Sequence, residues 1–323
     1  MANLPNNNFT PNTLSLHAGY DYDSQRTLSV PIYQSTAYSF ENANQAAARF
    51  GLAELGNIYS RLTNPTVDML AKRLAAVEGG AFGVATASGS SALFYSLVNL
   101  AQNGDNIAYS NKIYGGSQTL LVHVLKRFGI EGRVFDIDDL STLEKIIDDK
   151  TKAIFFESLS NPQIAIADVK TITDIAKKYK IATICDNTVA TPILYRPFDF
   201  GVDISVHSLT KYINGHGSGL GGAVIEREGL NELIKGNPRY PAFNTPDESY
   251  HGLVYANLPL PIFSIRIITE WLRNIGATLS PQNAWIHFQG LETLELRIQR
   301  HSDSALEIAK FLESHKHVKE VSY

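Results

Sequence analysis

Residues 203–222 read DISVHSLTKYINGHGSGLGG, and this stretch carries more information about the fold than any other. Its first half alternates apolar and polar residues and reads as a short strand, DISVHSLT. Its second half holds five glycines between Gly215 and Gly222. A second strand pattern, GAVIE, follows directly. One lysine, Lys211, sits between the strand and the glycines, flanked by the hydroxyls of Ser208 and Thr210. Gly217, Gly219 and Gly222 match G-x-G-x-x-G, the spacing of a dinucleotide-binding turn. That turn needs a helix after it, and here a strand comes next, so the dinucleotide reading is rejected. The glycines instead let backbone pass close to a ligand or turn tightly.

Upstream, short apolar runs alternate with helical patterns. FGVATASG, NIAYS, GRVFDI, KAIFFES and KIATICDN read as buried strands. NPTVDMLAKRLAAVEGG puts Val67, Leu70, Leu74 and Val77 on one helical stripe, with Pro65 at its start and glycines at its stop. SSALFYSLVNLAQNG reads as a helix ending at Gly104, and DVKTITDIAKKYK as another. Strands separated by helices predict right-handed crossovers and a mainly parallel sheet covered on both faces, an α/β fold. Residues 1–62 have few long apolar patterns and read as an N-terminal arm. Residues 63–257 form the α/β domain. From residue 258 the pattern changes to long helices, IFSIRIITEWLRNIGATLS and AWIHFQGLETLELRIQRHSDSALEIAKFLESH, before VKEVSY, which reads as the first strand of a further, incomplete α+β unit.

Composition narrows the function. The chain has 323 residues, enough for a large core plus a second region, and a formal charge of -4 with no basic-aromatic stripe, which argues against nucleic acid. No run approaches the ~18–20 apolar residues of a membrane span. A single cysteine, Cys185, rules out an internal disulfide and fits a cytoplasmic protein.

In parallel α/β sheets ligands gather beyond the carboxyl ends of the strands. Lys211 follows such an end. A lysine desolvated there has a lowered pKa and forms Schiff bases with carbonyls. Asp186 closes the strand IATICD, either as a turn cap or as a carboxylate aimed into the site. TASGSSAL is a strand, a turn and a helix start, where backbone N–H groups and the helix dipole hold anions. Tyr114 follows another strand end, as a packed aromatic or as a ring partner. A Schiff-base lysine, an anion cradle, a carboxylate and an aromatic together make a set suited to pyridoxal phosphate. The lysine takes its aldehyde, the cradle its phosphate, the carboxylate its ring nitrogen and the aromatic its ring face.

The ordered stretches GNIYSRLTNPT, SGSSA, YSNKIYGG, ESLSNP, DNTVATP and SVHSLTKYINGHG resemble the pyridoxal-phosphate enzymes of cysteine and methionine metabolism, which have the aminotransferase-like fold type I. FENANQAAARFGLAELGNIYSRL and SYHGLVY are most similar to the O-acetylhomoserine sulfhydrylase branch. The resemblance implies γ-replacement on O-acetyl-L-homoserine by a sulfur nucleophile, giving homocysteine and acetate. It makes Lys211 the Schiff-base lysine, with Asp186 on the ring nitrogen, Thr188 beside the ring and Tyr114 stacked on it. Tyr114, with help from Tyr59, shuttles a proton to the leaving group. Ser208, Thr210 and the backbone of Gly89 and Ser90 hold the phosphate. Tyr59 and Arg61 reach the phosphate of a neighbouring subunit, so the resemblance implies a dimer of dimers with shared sites. Asn161 and Glu157 lie near the cofactor oxygen and substrate. No metal is implied. Ser90 stands where the family often has Met or Gln, a change that leaves a backbone contact intact. Family members also continue beyond VKEVSY and there carry an arginine for the substrate carboxylate, which no residue here matches. Two alternatives stay open: a γ-lyase of the same family acting on methionine or cystathionine, and a non-catalytic cofactor-binding fragment.

Overall fold

A computed structural model of the chain describes residues 9–323. Seven strands form one sheet: β1 (Phe82–Thr86), β2 (Asn106–Ser110), β3 (Glu131–Phe135), β4 (Thr151–Glu157), β5 (Ala182–Asp186), β6 (Ile204–Ser208) and β7 (Gly222–Glu226). Their spatial order is β1-β7-β6-β5-β4-β2-β3. Strands β3, β2, β4, β5 and β6 pair in parallel, as expected for strands joined by helices. Strand β7 runs antiparallel to both β6 and β1. The glycine-rich return 209–221 has no helix, so it cannot make a crossover and brings the chain back beside β6 in the opposite direction.

The sheet is covered on both faces, and alternate residues of one strand show it. Phe155 of β4 packs with Ile184, Val206, Val224 and Leu97 on one face. Its neighbour Phe156 packs with Phe135, Ile172 and Ala176 on the other. A third cluster joins the helix Pro65–Glu78 to Ala223, Ile225, Phe288 and Leu291. The helix Pro65–Glu78 has the expected start and stop. Asn64 caps it by accepting the Thr66 N–H at 3.0 Å, Pro65 opens it, and Gly79 ends it at φ +81°.

Several boundaries differ from the sequence expectations. The helix expected to run to Gly104 is Gly89–Leu100; Ala101 is already extended, and Gly104 turns the chain into β2. The long helix expected over 262–280 is one continuous helical run, Ile262–Arg266, a π-helical stretch Ile267–Leu272 and Arg273–Ile275, and it stops at Gly276 rather than at 280. This region sets Arg266 Nη1 and Trp271 Nε1 both onto the buried Asn99 Oδ1, at 2.9 and 3.0 Å. Residues 281–313 break at Thr293, whose non-helical backbone separates Pro281–Glu292 from Leu294–Glu313. VKEVSY forms no strand. With no sheet edge beside it, the segment lies back on the preceding helix, and Tyr323 Oη donates to Ser302 O at 3.0 Å. In the arm, the helix Pro11–His17 packs on the chain's own helix Pro65–Glu78. Arg73 Nε donates to Ala18 O at 2.8 Å there. Among the described residues no helix is long and apolar enough to cross a membrane.

Candidate active site

The carboxyl ends of β4, β5 and β6 lie side by side and carry Glu157, Asp186 and Ser208. Asp186 is the hub. Its Oδ1 accepts the Thr188 N–H at 2.9 Å. Thr188 Oγ1 in turn accepts the Ser208 N–H at 2.8 Å. Asp186 therefore caps a turn and also presents a carboxylate, so the two readings of this residue are not exclusive. Burial pushes its carboxyl above the usual range, while the Thr188 hydrogen bonds and the charge of His207 oppose that. Thr188 spends its hydroxyl on bracing the ends of β5 and β6 together.

Glu157 is buried and holds two backbone N–H groups. Oε1 accepts from Tyr114 at 2.6 Å and Oε2 from Asn161 at 3.0 Å. Burial and the adjacent Asp186 raise its pKa from 4.5 to about 7. One carboxylate thus fixes both the aromatic and the amide that the family resemblance places near the cofactor. Tyr114 itself is exposed at the start of a short helix, ready to cover a ligand. Gly116 gives its ring room, since a Cβ there would meet Tyr114 Cε1 at 2.4 Å.

The anion cradle is formed by the start of the helix Gly89–Leu100. Ser88 and Ser91 cap it reciprocally, with Ser91 N–H donating to Ser88 Oγ at 3.1 Å and Ser88 N–H to Ser91 Oγ at 3.1 Å. The first N–H groups of a helix have no partner within it, which leaves those of Gly89 and Ser90 for a ligand. A Cβ at Gly89 would lie 2.6 Å from Ser208 Cβ, so only glycine lets this helix start meet the end of β6. The start of this helix therefore lies against Ser208, three residues before Lys211. The backbone N–H groups and the Ser208 hydroxyl fit a phosphate, and the half-buried Asp186 carboxylate fits a ring N–H.

Two expectations change in detail. Lys211 is exposed on this chain rather than desolvated, in the turn that follows β6. The Thr210 hydroxyl accepts the Gly221 N–H at 3.2 Å and donates to Gly221 O at 3.3 Å, so it closes the glycine loop. Tyr59 and Arg61 make no hydrogen bond with the Lys211 group. They lie together, Arg61 over the Tyr59 ring at 5.2 Å, on a cavity of about 430 Å³ with Ser35, Ser60 and Ser280.

Sequence reasoning missed a buried layer on the far side of the sheet. His207 Nε2 lies 2.8 Å from Glu78 Oε1, and Asn187 Nδ2 and Ser205 Oγ each donate to the same oxygen at 2.9 Å. Alternation along β6 is the signal for it. Ser205 and His207 point away from Ser208, and two polar residues on a buried face need hydrogen-bond partners there.

This is the architecture of a fold type I pyridoxal-phosphate enzyme, and the chain belongs to a family defined by more than the fold. Residues 12–323 match the family described as Cys/Met metabolism PLP-dependent enzymes, and the chain is a member of it. O-acetyl-L-homoserine sulfhydrylase from Corynebacterium glutamicum is 43% identical over 315 residues, covering 96% of this chain and 72% of that protein. Homocysteine synthase from Schizosaccharomyces pombe is 41% identical over 317 residues, covering 96% of this chain and 73% of the relative. A crystal structure from Campylobacter jejuni, described as an O-acetylhomoserine (thiol)-lyase and holding a pyridoxyl-lysine phosphate, superposes with a TM-score of 0.96. It is 66% identical and covers 97% of this chain and 77% of its own.

Proposed function

We propose that this chain replaces the acetyloxy group of O-acetyl-L-homoserine with sulfur, giving homocysteine and acetate in methionine biosynthesis. The observation that carries this reading is the match of 96% of this chain, at 41–43% identity, to 72–73% of relatives named for that reaction and its product. A site whose donors suit the family's cofactor supports it. Pyridoxal phosphate, when bound, supplies the electron sink that lets protons leave the substrate's α and β carbons.

The remaining work falls to the chain's own residues. Gly89 and Ser90 N–H groups and the Ser208 hydroxyl bind the phosphate, with Thr210 shaping the loop beside it. Asp186 holds a proton on the ring nitrogen, and its position is set by Thr188. Lys211 anchors the cofactor through Nζ. Once displaced by substrate, the Nζ amine takes the α-proton and returns one later. Tyr114 lies over the ring face, and its hydroxyl donates a proton toward the departing acetate, assisted by Tyr59. Glu157 keeps Tyr114 and Asn161 in register with the substrate. Acetate leaves as the Cγ–O bond breaks, and the sulfur nucleophile forms the new Cγ–S bond.

Tyr59 and Arg61 are assigned to the phosphate of a neighbouring copy, in a dimer of dimers. Their place on a cavity with Ser35, Ser60 and Ser280, hydrogen-bonded to none of the Lys211 group, supports this. Exposed Leu28, Ile32 and Tyr33 on the same arm add apolar surface for a subunit contact. The buried, free Cys185 fits the cytoplasm. The experiment is a product assay on purified protein with O-acetyl-L-homoserine and sulfide. Homocysteine and acetate in equal amounts support the reading. An oxoacid and ammonia would replace it with the lyase, and no turnover by a cofactor-loaded chain with the binding fragment.

A further inference from the structure

We propose that His287 is a positioning residue for Lys211, acting through Asn214 and reporting its own protonation to the cofactor site. The proposal rests on Lys211 as the attachment point and not on the identity of the sulfur substrate.

The loop that follows Lys211 starts and ends on the lysine's own turn. At its start, the Asn214 N–H donates to Leu209 O at 2.9 Å and the Gly215 N–H to Lys211 O at 2.8 Å. At its end, the Leu209 N–H donates to Gly221 O at 2.9 Å, and Gly221 also pairs with the Thr210 hydroxyl. The Asn214 side chain organises the interior. Its Oδ1 accepts the His216 N–H at 3.1 Å, the Ser218 N–H at 3.3 Å and the Ser218 hydroxyl at 3.4 Å.

Those three donors fix the orientation of the amide, so Nδ2 faces away from the loop. It faces His287, whose Nδ1 lies 3.4 Å off. An amide NH2 only donates, so Nδ1 must accept and the ring proton sits on Nε2. Nε2 indeed lies 3.2 Å from Leu220 O, which only accepts. One neutral tautomer thus serves both ends of the loop at once. His287 and Asn214 are both fully buried. Contact is close: a Cβ on Gly221 would lie 2.3 Å from His287 Nε2, and one on Gly290, a turn further along the same helix, 2.2 Å from Ile213 O. The bare backbone at Gly221 therefore makes room for this histidine.

The charged and titratable groups on the surrounding elements are few. His216 is exposed, with Nδ1 at 2.6 Å from Asn214 O. Arg297 donates to Tyr212 O, Ile213 O and Gly290 O at 2.7, 3.3 and 2.6 Å. Arg73 pairs with Glu292 at 3.2 Å. None is a hydrogen-bond partner of His287, and burial holds its pKa below the ordinary histidine value. Protonation at Nδ1 would set a donor against the Asn214 NH2, break the bridge and release the loop that holds Lys211 and Thr210.

The test uses apoprotein titrated with pyridoxal phosphate, borohydride trapping and mass mapping of the adduct, at about pH 8 and about pH 5.5. His287→Gln can donate to Leu220 O and accept from Asn214 without titrating in this range. His287→Leu leaves the Asn214 NH2 without its acceptor, while Leu220 O keeps the Asn283 Nδ2 donor at 3.1 Å. At the higher pH His287→Gln should bind cofactor within about twofold of wild type, and His287→Leu roughly tenfold more weakly. Between the two pH values wild type should lose about threefold more affinity than His287→Gln, while His216→Gln keeps the wild-type loss. Equal pH responses in wild type and His287→Gln, with normal binding by His287→Leu, overturn the proposal. A wild-type adduct on a residue other than Lys211 would overturn the attachment assignment and this proposal with it.

Discussion

Replacing Glu157 with glutamine isolates the carboxylate that grips Tyr114 and Asn161. The two backbone N–H groups approach different oxygens, at 2.6 and 3.0 Å. A glutamine offers one acceptor oxygen, so one N–H keeps a partner and the other meets an NH2. The loss is one charge-assisted hydrogen bond in a buried place, about 1.5–3 kcal/mol. If that energy is spent on keeping Tyr114 and Asn161 in place at the transition state, kcat/KM for O-acetyl-L-homoserine falls roughly 10- to 150-fold. The pH dependence separates positioning from simple damage. With its pKa raised to about 7, Glu157 loses charge as pH falls through neutrality, and its hold weakens on the acid side. Wild type should show an acid limb near that value. Glu157→Gln, unable to ionise, should lack the limb and run near the wild-type acid level throughout. The stability sign is opposite. A carboxyl whose pKa rises on folding costs stability as pH climbs from its unfolded value, 4.5, to about 7. The variant should therefore be less active above neutrality but show a flatter stability curve. Steady-state kinetics and thermal melts across pH check both. Activity within about twofold of wild type with an unchanged acid limb would refute the reasoning.

Three further outcomes follow from the same geometry. Lys211→Ala should abolish the borohydride-trapped cofactor adduct, read by intact mass; a normal adduct would remove Lys211 from its role. Asp186→Asn keeps the Thr188 contact but not the charge, and should lower turnover by roughly three orders of magnitude while cofactor remains bound, as other losses of preorganised charge do; a rate within about threefold of wild type would leave only the turn cap. Glu226→Gln, far from the chemistry, keeps the acceptor for Ser264 N–H and Oγ, at 2.8 and 2.7 Å, and removes a buried titration raised from 4.5 to about 7. It should erase about 3 kcal/mol of stability loss between those pH values, measured by denaturant melts, without altering the acid limb of activity.

The parallel part of the sheet was legible because each of its strands is a short apolar run bounded by turn residues and followed by helix or loop. Asp186, Ser208 and Lys211 could be placed at strand ends for the same reason. The direction of β7 was not legible: GAVIE reads alike in either sense, and only its partners β6 and β1 decide. The break at Thr293 was hidden because threonine is tolerated in helices and the apolar pattern continues through it. The exposure of Lys211 depends on how the turn that follows β6 is placed, which spacing does not encode. Glu157 was found by resemblance, but its two N–H partners come from separate loops. His287 was invisible as a partner of Asn214 because 73 residues separate them.

Strand β1 pairs with β7, so Phe82 meets Glu226 about 140 residues further along the chain. On the ribosome, at roughly 5–20 residues per second, β1 would wait on the order of 10–30 s before its partner is made. During that wait Val84 and Ala85, both buried in the finished protein, have no sheet to join. Loop closure over such a span is slow even in the full chain. The cradle at Gly89 is thus among the last parts to be completed, since β1 leads directly into it. In refolding from denaturant, cofactor-binding competence should lag behind the compaction of β2, β4 and β5, whose partners are nearer in sequence.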